Sequence, residues 1–269
     1  MTNVAKMIKY MAMALAIFLA VSIISGICYG VNLLSDTINN EEVRDSDVEN
    51  ALQLSSVKIM PRMDIDVKRV NIYIKVDSDF GISTTNKYIK SKIDNDILYI
   101  YEDNHSMLDK YAGDLYIFIP QDYVFSDIDI ENGAGMIEVD TMKTSKLSLD
   151  LGAGKAILKD IDVSSEMDIE GGAGTIEIID SIISGLDLDM GAGKVMFSGY
   201  LRGDNKIDAG LGSLVIDLYD DEYTVSIDKG IGNAKYNGEE MKDDSIYGIG
   251  RNKILLNGGI GSIKINTKR

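Results

Sequence analysis

The sequence contains very little cysteine and histidine, and this scarcity excludes several kinds of site. With a single cysteine, Cys28, the chain cannot form an intramolecular disulfide. The single histidine, His105, lies in a polar stretch without a nucleophile-elbow pattern near it. A zinc cluster of His and Cys ligands is therefore excluded, and a Ser-His-Asp triad would have to use His105. We expect a protein that is not an enzyme and has no catalytic residues.

Positive charge and proline are also scarce. The chain has 27 Lys and Arg against 43 Asp and Glu, a formal net charge of −16. Such a chain is a poor partner for nucleic acid and for anionic lipid head groups, both of which prefer a basic surface. Of the two prolines, Pro120 directly follows the apolar run Leu115 to Ile119 and predicts the end of that strand.

One long apolar run is present near the start of the chain. Met11 to Ser35 carries no charge, is preceded by Lys6 and Lys9, and is followed by acidic residues. A helix of about 20 apolar residues spans a bilayer, and the positive flank stays in the cytoplasm. We therefore predict a single-pass protein of the cell membrane with an extracytoplasmic C-terminal domain. The predicted segments are a cytoplasmic N-terminus (1–10), a transmembrane anchor (11–35), an acidic linker (36–60) and a β-domain (61–269).

Two other interpretations of this run stay open. In the first, it is a signal peptide that is cleaved near Ser25 and Gly26. In the second, Cys28 is a lipidated cysteine, although Ile27 stands where a small residue should precede it.

The rest of the chain is dominated by a repeated pair of glycines with one residue between them. The pairs are Gly133/Gly135, Gly152/Gly154, Gly172/Gly174, Gly191/Gly193, Gly210/Gly212, Gly230/Gly232 and Gly259/Gly261. Subtracting successive first glycines gives intervals of 19, 20, 19, 19, 20 and 29 residues. A fixed period of this length is the signature of a repeat protein.

Apolar and polar residues alternate on both sides of each glycine pair, which predicts two short strands per repeat. In one arrangement the repeats are coils of a parallel β-solenoid, and the glycines form a corner. In the other, each pair is the tip of a hairpin in an antiparallel meander or barrel. The residue between the glycines is Ala, Leu or Ile, and a corner can point such a side chain inward. The sequence therefore favours an all-β solenoid with coils of about 19–20 residues, the period of a repeat architecture.

Two regions depart from the period. The runs Val70 to Val76, Phe80 to Thr84, Tyr88 to Ile93 and Ile97 to Tyr101 predict strands that form the opening, imperfect coils of the same domain. The long last interval contains Glu239 to Ser245, which we interpret as a charged loop that leaves the coil.

An acidic residue stands two positions before most of the first glycines. This column consists of Glu131, Asp150, Glu170, Asp189, Asp208 and Asp228, and Asn257 ends it. In a parallel stack these carboxylates would lie about 4.8 Å apart, and their repulsion requires water, lysines or bound cations. These six residues are the candidate metal ligands, with calcium as the candidate cofactor, although the glycine-aspartate pattern of calcium β-rolls is absent. The alternative is a solvated acidic face.

The repeats resemble a bacterial "putative adhesin" family of β-strand-repeat domains of unknown function. The resemblance rests on Leu147 to Leu158, on Leu115 to Pro120 and on Gly258 to Ile265, and it covers residues 64–266. It implies a right-handed parallel β-helix or a related solenoid, often membrane-anchored, and no catalytic residues.

These observations predict a membrane-anchored, extracytoplasmic binding module that is adhesin-like or an accessory protein in envelope-stress signalling. Its expected partners are the membrane, through the N-terminal helix, and a cell-wall polymer or an envelope protein. Two alternatives remain: a carbohydrate-active enzyme of the β-helix type, whose carboxylates would have to converge in one groove, and a self-assembling surface scaffold.

Overall fold

The computed structural model describes residues 52–53, 59–103 and 113–268. The predicted anchor, Cys28 and His105 lie outside the described residues, as does most of the predicted linker. In the described ranges no helix is long and apolar enough to cross a membrane. Within the same ranges the regular secondary structure consists of β-strands, so the predicted all-β class is confirmed.

The described strands belong to one mixed, non-closed sheet. They are β1 (Leu52–Gln53), β2 (Arg62–Asp77), β3 (Gly81–Thr84), β4 (Ile89–Asp94), β5 (Ile97–Glu102), β6 (Gly113–Pro120), β7 (Val124–Val139), β8 (Met142–Lys159), β9 (Ile161–Ser184), β10 (Leu186–Arg202), β11 (Asp204–Asp208), β12 (Leu211–Leu218), β13 (Tyr223–Asp228), β14 (Ile231–Tyr236), β15 (Glu239–Glu240), β16 (Ser245–Tyr247), β17 (Asn252–Asn257) and β18 (Ile260–Thr267). As predicted, β6 ends at Pro120.

The strands from β7 to β10 pair in parallel and in the register of the glycine repeat. Leu149 lies beside Ile169, and Ile169 lies beside Leu188. All three side chains are buried, and each contributes about 1.5–3 kcal/mol by leaving water. Parallel pairing was predicted for these repeats, and the antiparallel meander is wrong for them. We call the strand or strands that occupy one level of this parallel stack a layer; in β7 to β10 each layer surrounds one glycine pair.

The layers do not follow the order of the sequence at either end of the stack. The layer of β2 lies between two other layers. One of these is formed by β5 and β6, and the other by β7. At the other end, β17 and β18 form a layer that has a neighbour on each side. One neighbour is the layer of β11 with β12, and the other is the layer of β13 with β14. The prediction that successive repeats stack in sequence order is thus wrong at both ends, because every layer offers its neighbour the same apolar columns and the pattern does not encode order.

Short antiparallel strands cover the outermost layers. At one end β4 pairs with β5, β3 pairs with β6, and β1 pairs with β3. At the other end β16 pairs with β13 and β15 pairs with β14. The segment Glu239 to Ser245, predicted as a loop that leaves the coil, instead carries β15 and the first residue of β16. An exposed parallel edge would present unpaired N–H and C=O groups to other chains, and these strands satisfy many of them.

The glycine corners bring neighbouring backbones into very close approach. At Gly154, where φ is +137°, a Cβ atom would lie 1.9 Å from the carbonyl oxygen of Gly135. The residue between the glycines does not point inward as predicted, since Ile231 is 59% and Ile260 is 40% exposed. The buried residues on both sides of the corner point into the core, so the middle residue of the corner must point out.

Candidate functional site

The strand that precedes each glycine corner presents two columns of side chains on one sheet face, because alternate residues of a strand point to the same side. The first column, two positions before the corner, contains Asp66, Glu131, Asp150, Glu170, Asp189, Asp208, Asn257 and Asp228 in spatial order. The second column, four positions before the corner, contains Asp64, Asp129, Ser148, Asp168, Asp187, Lys206, Leu255 and Ser226. We call the part from Asp64 to Asp208 the acidic face.

The first column brings together most of the acidic residues that the sequence singled out. Glu131, Asp150, Glu170, Asp189 and Asp208 occupy successive strands in direct register. Asp228 does not join them, because Asn257 lies between it and Asp208 in the stack. The side-chain amide of Asn257 donates a hydrogen bond to Oδ1 of Asp208. The uninterrupted acidic ladder therefore ends at Asp208.

The second column and the contribution of β2 were missed by the sequence analysis. Asp129, Asp168 and Asp187 stand four positions before their glycine pairs, so the repeat register itself carries a signal for them. Asp64 and Asp66 were not detectable in this way, because β2 has no glycine pair to set its register. They join the face only through the pairing of β2 with β7.

A shallow depression of about 180 Å³ lies in the centre of the acidic face. Its floor is at Ser148, where the second column has a small side chain between Asp129 and Asp168. The side chains around it are Asp129, Glu131, Asp150, Asp168 and Glu170. The depression is therefore surrounded by carboxylates and is wide enough for a small cationic group and its bound water.

The carboxyls of this face raise one another's pKa. Partial burial, followed by repulsion from Asp66, Asp129 and Asp150, raises the pKa of Glu131. Burial and the charge of Asp187 likewise raise the pKa of Asp168. Asp64 shows the same direction, again through burial first and then through Asp129 and Asp66. The face thus holds negative charge at a cost in free energy that a nearby cation would relieve.

One ammonium group already lies within the columns. Nζ of Lys206 is 2.7 Å from Oδ2 of Asp208 and 3.4 Å from Oδ1 of Asp187. The hydrogen bond to Asp208 and the charge of Asp187 raise the pKa of Lys206. Burial by itself would raise the pKa of Asp208, but the hydrogen bonds from Lys206 and Asn257 lower it below its usual value. A cation at this position thus reverses the shift seen in the centre of the face.

Ser148 occupies the position in its layer that Lys206 occupies in its own. Asp129 and Asp150 stand relative to Ser148 as Asp187 and Asp208 stand relative to Lys206. At Ser148 the surrounding carboxylates have no lysine between them in the second column. At Lys206 the equivalent carboxylates have one. Within the two columns, the depression therefore lacks the ammonium group that Lys206 supplies at the equivalent position, and Lys146 of the same strand pairs with Glu166 instead, 2.6 Å away.

At the end beyond β2, the two columns are aromatic rather than acidic. Beyond Asp64 and Asp66 the columns continue with Tyr99 and Tyr101 of β5. Nζ of Lys92 lies 5.0 Å from the ring centroid of Tyr99 and 5.7 Å from that of Tyr101, so both rings already face a cation.

The sheet face that follows the glycine corners is balanced in charge, unlike the acidic face. Nζ of Lys155 lies 3.0 Å from Glu177, and Nζ of Lys159 lies 3.0 Å from Glu138. Uncompensated negative charge is therefore concentrated on the strands before the corners.

The arrangement of the ladder does not resemble a metal centre. Across residues 59–103 and 113–268, no group of three or more His, Cys, Asp or Glu side chains is placed to hold a metal ion. Carboxylates on successive strands are about 4.8 Å apart along the column, whereas calcium needs six to eight oxygens at 2.3–2.6 Å. The predicted role of Glu131, Asp150, Glu170, Asp189, Asp208 and Asp228 as calcium ligands stays a prediction.

Comparison with known proteins gives structural neighbours only at low similarity. No protein-family model and no curated protein matches the chain. A "putative cell adhesion protein" from Clostridium sporogenes is 14% identical, with a TM-score of 0.36, over 81% of this chain and 99% of its own. A "putative adhesin" from Bacteroides fragilis is 14% identical, with a TM-score of 0.31, over 80% and 95%. Another, from Parabacteroides distasonis, is 10% identical, with a TM-score of 0.25, over 80% and 95%. Because the TM-scores are below 0.5, we draw no conclusion from these likenesses.

Proposed function

We propose that this protein is a non-catalytic binding module whose acidic face recognises a partner that carries ammonium or guanidinium groups. In this proposal the layers are coils of a right-handed β-solenoid, and residues 11–35 hold the solenoid at the outer surface of the cell membrane. The parallel register of the layers supports the solenoid, and the uncharged run with its two preceding lysines supports the anchor.

The observation that carries the proposal is the difference between Lys206 and Ser148. At Lys206 the chain fills the gap between two carboxylates with its own ammonium group. At Ser148 the equivalent gap is open and is surrounded by five carboxylates. A cation from a partner would make the contacts that Lys206 makes and would relieve the repulsion that raises the pKa of Glu131 and Asp168.

The shape of the face favours a long partner over a small molecule. The first column has a carboxylate on each of its neighbouring strands β2, β7, β8, β9, β10 and β11. A chain that crosses these strands therefore meets a new carboxylate about every 4.8 Å. An amine-bearing cell-wall polymer or a basic segment of an envelope protein has this chemistry. The adhesin-like role and the accessory role in envelope-stress signalling are two settings for the same recognition.

The direct test is to bind octalysine to the full-length protein in a neutral detergent and to measure the dissociation constant by calorimetry at two salt concentrations. We expect binding that weakens as the salt concentration rises, because the charges are exposed and screened. Octaglutamate is the control for nonspecific association with the protein or the detergent.

The variant Ser148→Lys sharpens this test. The new ammonium group should pair with Asp129 and Asp150 and occupy the depression, so the affinity for octalysine should fall by about three- to tenfold. Ser226→Lys is the matched control: it adds the same charge to the same column, but between Leu255 and Ile246 rather than between carboxylates. Equal losses in the two variants would mean that only net charge matters, and octalysine binding that neither variant changes would reject the acidic face as the site.

Two further measurements address the alternatives. If the protein is a carbohydrate-active enzyme, incubation with wall polysaccharides will release new reducing ends, whereas a binding module will retain the polymer intact. If the ladder is a calcium site, calcium will raise the melting temperature well above the value in sodium chloride of equal ionic strength. We expect the two salts to act alike, because the carboxylates do not converge.

A further inference from the structure

Glycine directly follows asparagine at three places in the chain, and the structure puts the three pairs in different surroundings. The pairs are Asn132–Gly133, Asn237–Gly238 and Asn257–Gly258. In such a pair the glycine nitrogen can attack the side-chain carbonyl carbon of the asparagine, because glycine has no Cβ atom to hinder the approach. The reaction needs a glycine N–H that is not already donated, room for the chain to bend, and access to water.

Two of the pairs are held in ways that prevent this attack. Asn132 is 1% exposed, and its side-chain amide donates a hydrogen bond to the carbonyl oxygen of Val70, 2.9 Å away. In another pair the N–H of Gly258, which would be the attacking group, donates to the carbonyl oxygen of Asp228 at 2.6 Å. In both pairs the attack therefore requires neighbouring layers to separate first.

The remaining pair forms the turn between β14 and β15. The φ angles are +51° at Asn237 and +85° at Gly238, as in the left-handed two-residue turns that join hairpin strands. Asn237 is exposed, and a Cβ atom at Gly238 would meet no atom within 4 Å. In the described ranges no acceptor is bonded to the N–H of Gly238. This pair thus has the free N–H, the space and the access to water that the other two lack.

The side chain of Asn237 is held by Thr267 of the adjacent strand β18. Its Nδ2 donates to Oγ1 of Thr267 at 3.0 Å, and its Oδ1 accepts from the N–H of Thr267 at 2.8 Å. Each such hydrogen bond contributes about 0.5–1.5 kcal/mol. The turn therefore opens locally at a much smaller cost than the separation of two packed layers.

We propose that Asn237 is a modification site, where the side chain loses ammonia spontaneously. The N–H of Gly238 gives its proton to hydroxide, and its nitrogen bonds to Cγ of Asn237. The side-chain nitrogen takes a proton from water and leaves as ammonia, which closes a succinimide ring. Water then opens this ring at either carbonyl and gives aspartate or isoaspartate.

The isoaspartate product changes the hairpin as well as the charge. Its main chain contains an additional methylene group, so the two-residue turn no longer fits between the paired residues Tyr236 and Glu239. The strand β15 is then released from β14, whose N–H and C=O groups become an open sheet edge. Amide hydrogens of β14 should therefore exchange faster in the isoaspartate form than in the unmodified protein.

The test is to incubate the full-length protein in a neutral detergent at mildly alkaline pH and to follow its protease-derived peptides by mass spectrometry. Conversion replaces an NH by an O in the peptide mass. In the folded protein we expect Asn237 to convert at least about tenfold faster than Asn132 and Asn257, because the turn opens more easily. In protein unfolded by urea the three pairs should convert at similar rates, which is the control for sequence effects.

The variant Thr267→Val tests the restraint on the turn. It keeps the shape and the backbone N–H but removes the oxygen that accepts from Asn237, so conversion should become about two- to tenfold faster. Thr224→Val is the matched control, since Oγ1 of Thr224 donates to the carbonyl oxygen of Gly250 and not to the turn. Conversion of Asn237 in the folded protein that is no faster than that of Asn132 and Asn257 would overturn the proposal. So would equal rates in the two variants, since Thr267 would then not control the turn.

Discussion

The middle of the stack and its two ends are built from the same repeat but are ordered by different means. The layers of β7, β8, β9 and β10 lie side by side in the order of the sequence, and their corner residue is alanine. At both ends a layer is inserted between two others that are neighbours in sequence. The glycine corner and the apolar columns are sufficient for stacking, but they do not decide which layer lies next to which.

At the two ends of the stack, hydrogen bonds between polar side chains determine which layers are neighbours. In the inserted layer of β2, the amide of Asn71 donates a hydrogen bond to Asp114, 3.0 Å away. In the inserted layer of β17 and β18, Asn257 and Asn266 donate hydrogen bonds to Asp208 and Asp217. If the layers followed sequence order, Asp208 would lie against Asp228, and two like charges would face each other. The inserted asparagine separates the charges and binds one of them.

The largest effect is expected from a charge in a middle column. Leu188 is 1% exposed and lies between Ile169 and Ile207. Leu188→Asp leaves an unpaired carboxylate in the core and should unfold the stack. Circular dichroism during heating measures this. Leu255→Asp, at a 47% exposed position near the end, is the control and should melt within a few degrees of the unchanged protein. A normal melting curve for Leu188→Asp would contradict the register described here.

The next effect concerns the glycine corners. Gly154→Ala places a Cβ atom against the carbonyl of Gly135, and we expect a loss of about 3 kcal/mol or more in the free energy of unfolding. Gly238→Ala, in a turn with no atom within 4 Å of the new Cβ, should cost about 1–2 kcal/mol for its φ of +85° alone. Denaturant titration compares the two, and similar costs would show that close approach of the backbones does not limit the corner.

A smaller loss of stability is expected from a change of Asn257, the residue that lies between Asp208 and Asp228. Asn257→Asp removes the hydrogen bond to Asp208 and places a carboxylate directly between Asp208 and Asp228, at a cost of about 1.5–3 kcal/mol near neutral pH. Asn233→Asp makes the same chemical change at an exposed position of the adjacent layer, in register with Ser262, and should change stability by less than about 0.5 kcal/mol. Denaturant titration at pH 7 distinguishes them, and the difference should disappear below the pKa of the new carboxyl.

The smallest effect is a pH dependence of opposite sign in the two regions. In the middle, the raised pKa values of Glu131 and Asp168 mean that the folded state binds protons more readily, so stability rises slightly as the pH falls from 7 towards 4. At the end, the lowered pKa of Asp208 stabilises the fold above about pH 4, and this contribution is lost as the pH falls further.

Melting temperatures at successive pH values test this, with Asp168→Asn and Asp208→Asn as the paired variants. Asp168→Asn should reduce the rise between pH 7 and 4, and Asp208→Asn should reduce the loss below pH 4. A profile that neither substitution alters would show that other carboxyls dominate the titration.

Much of this architecture could be predicted from the sequence. The period of the glycine pairs fixed the register of Leu149, Ile169 and Leu188, because each apolar residue recurs at a constant distance from its corner. The same register placed Glu131, Asp150, Glu170, Asp189 and Asp208 in one column. The runs in residues 70–119 were recognised as strands by alternation alone.

The outward direction of Ile231 and Ile260, the insertion of terminal layers and the covering role of β15 and β16 required the structure. So did the second acidic column as a surface, since Asp64 and Asp66 join it only through the pairing of β2 with β7. Sequence alone determines what each layer contains and where it bends, because those properties are local to a repeat. Only the tertiary structure decides the order of the layers, because nearly identical edges bind one another equally well and a few amide–carboxylate contacts between distant residues select among them.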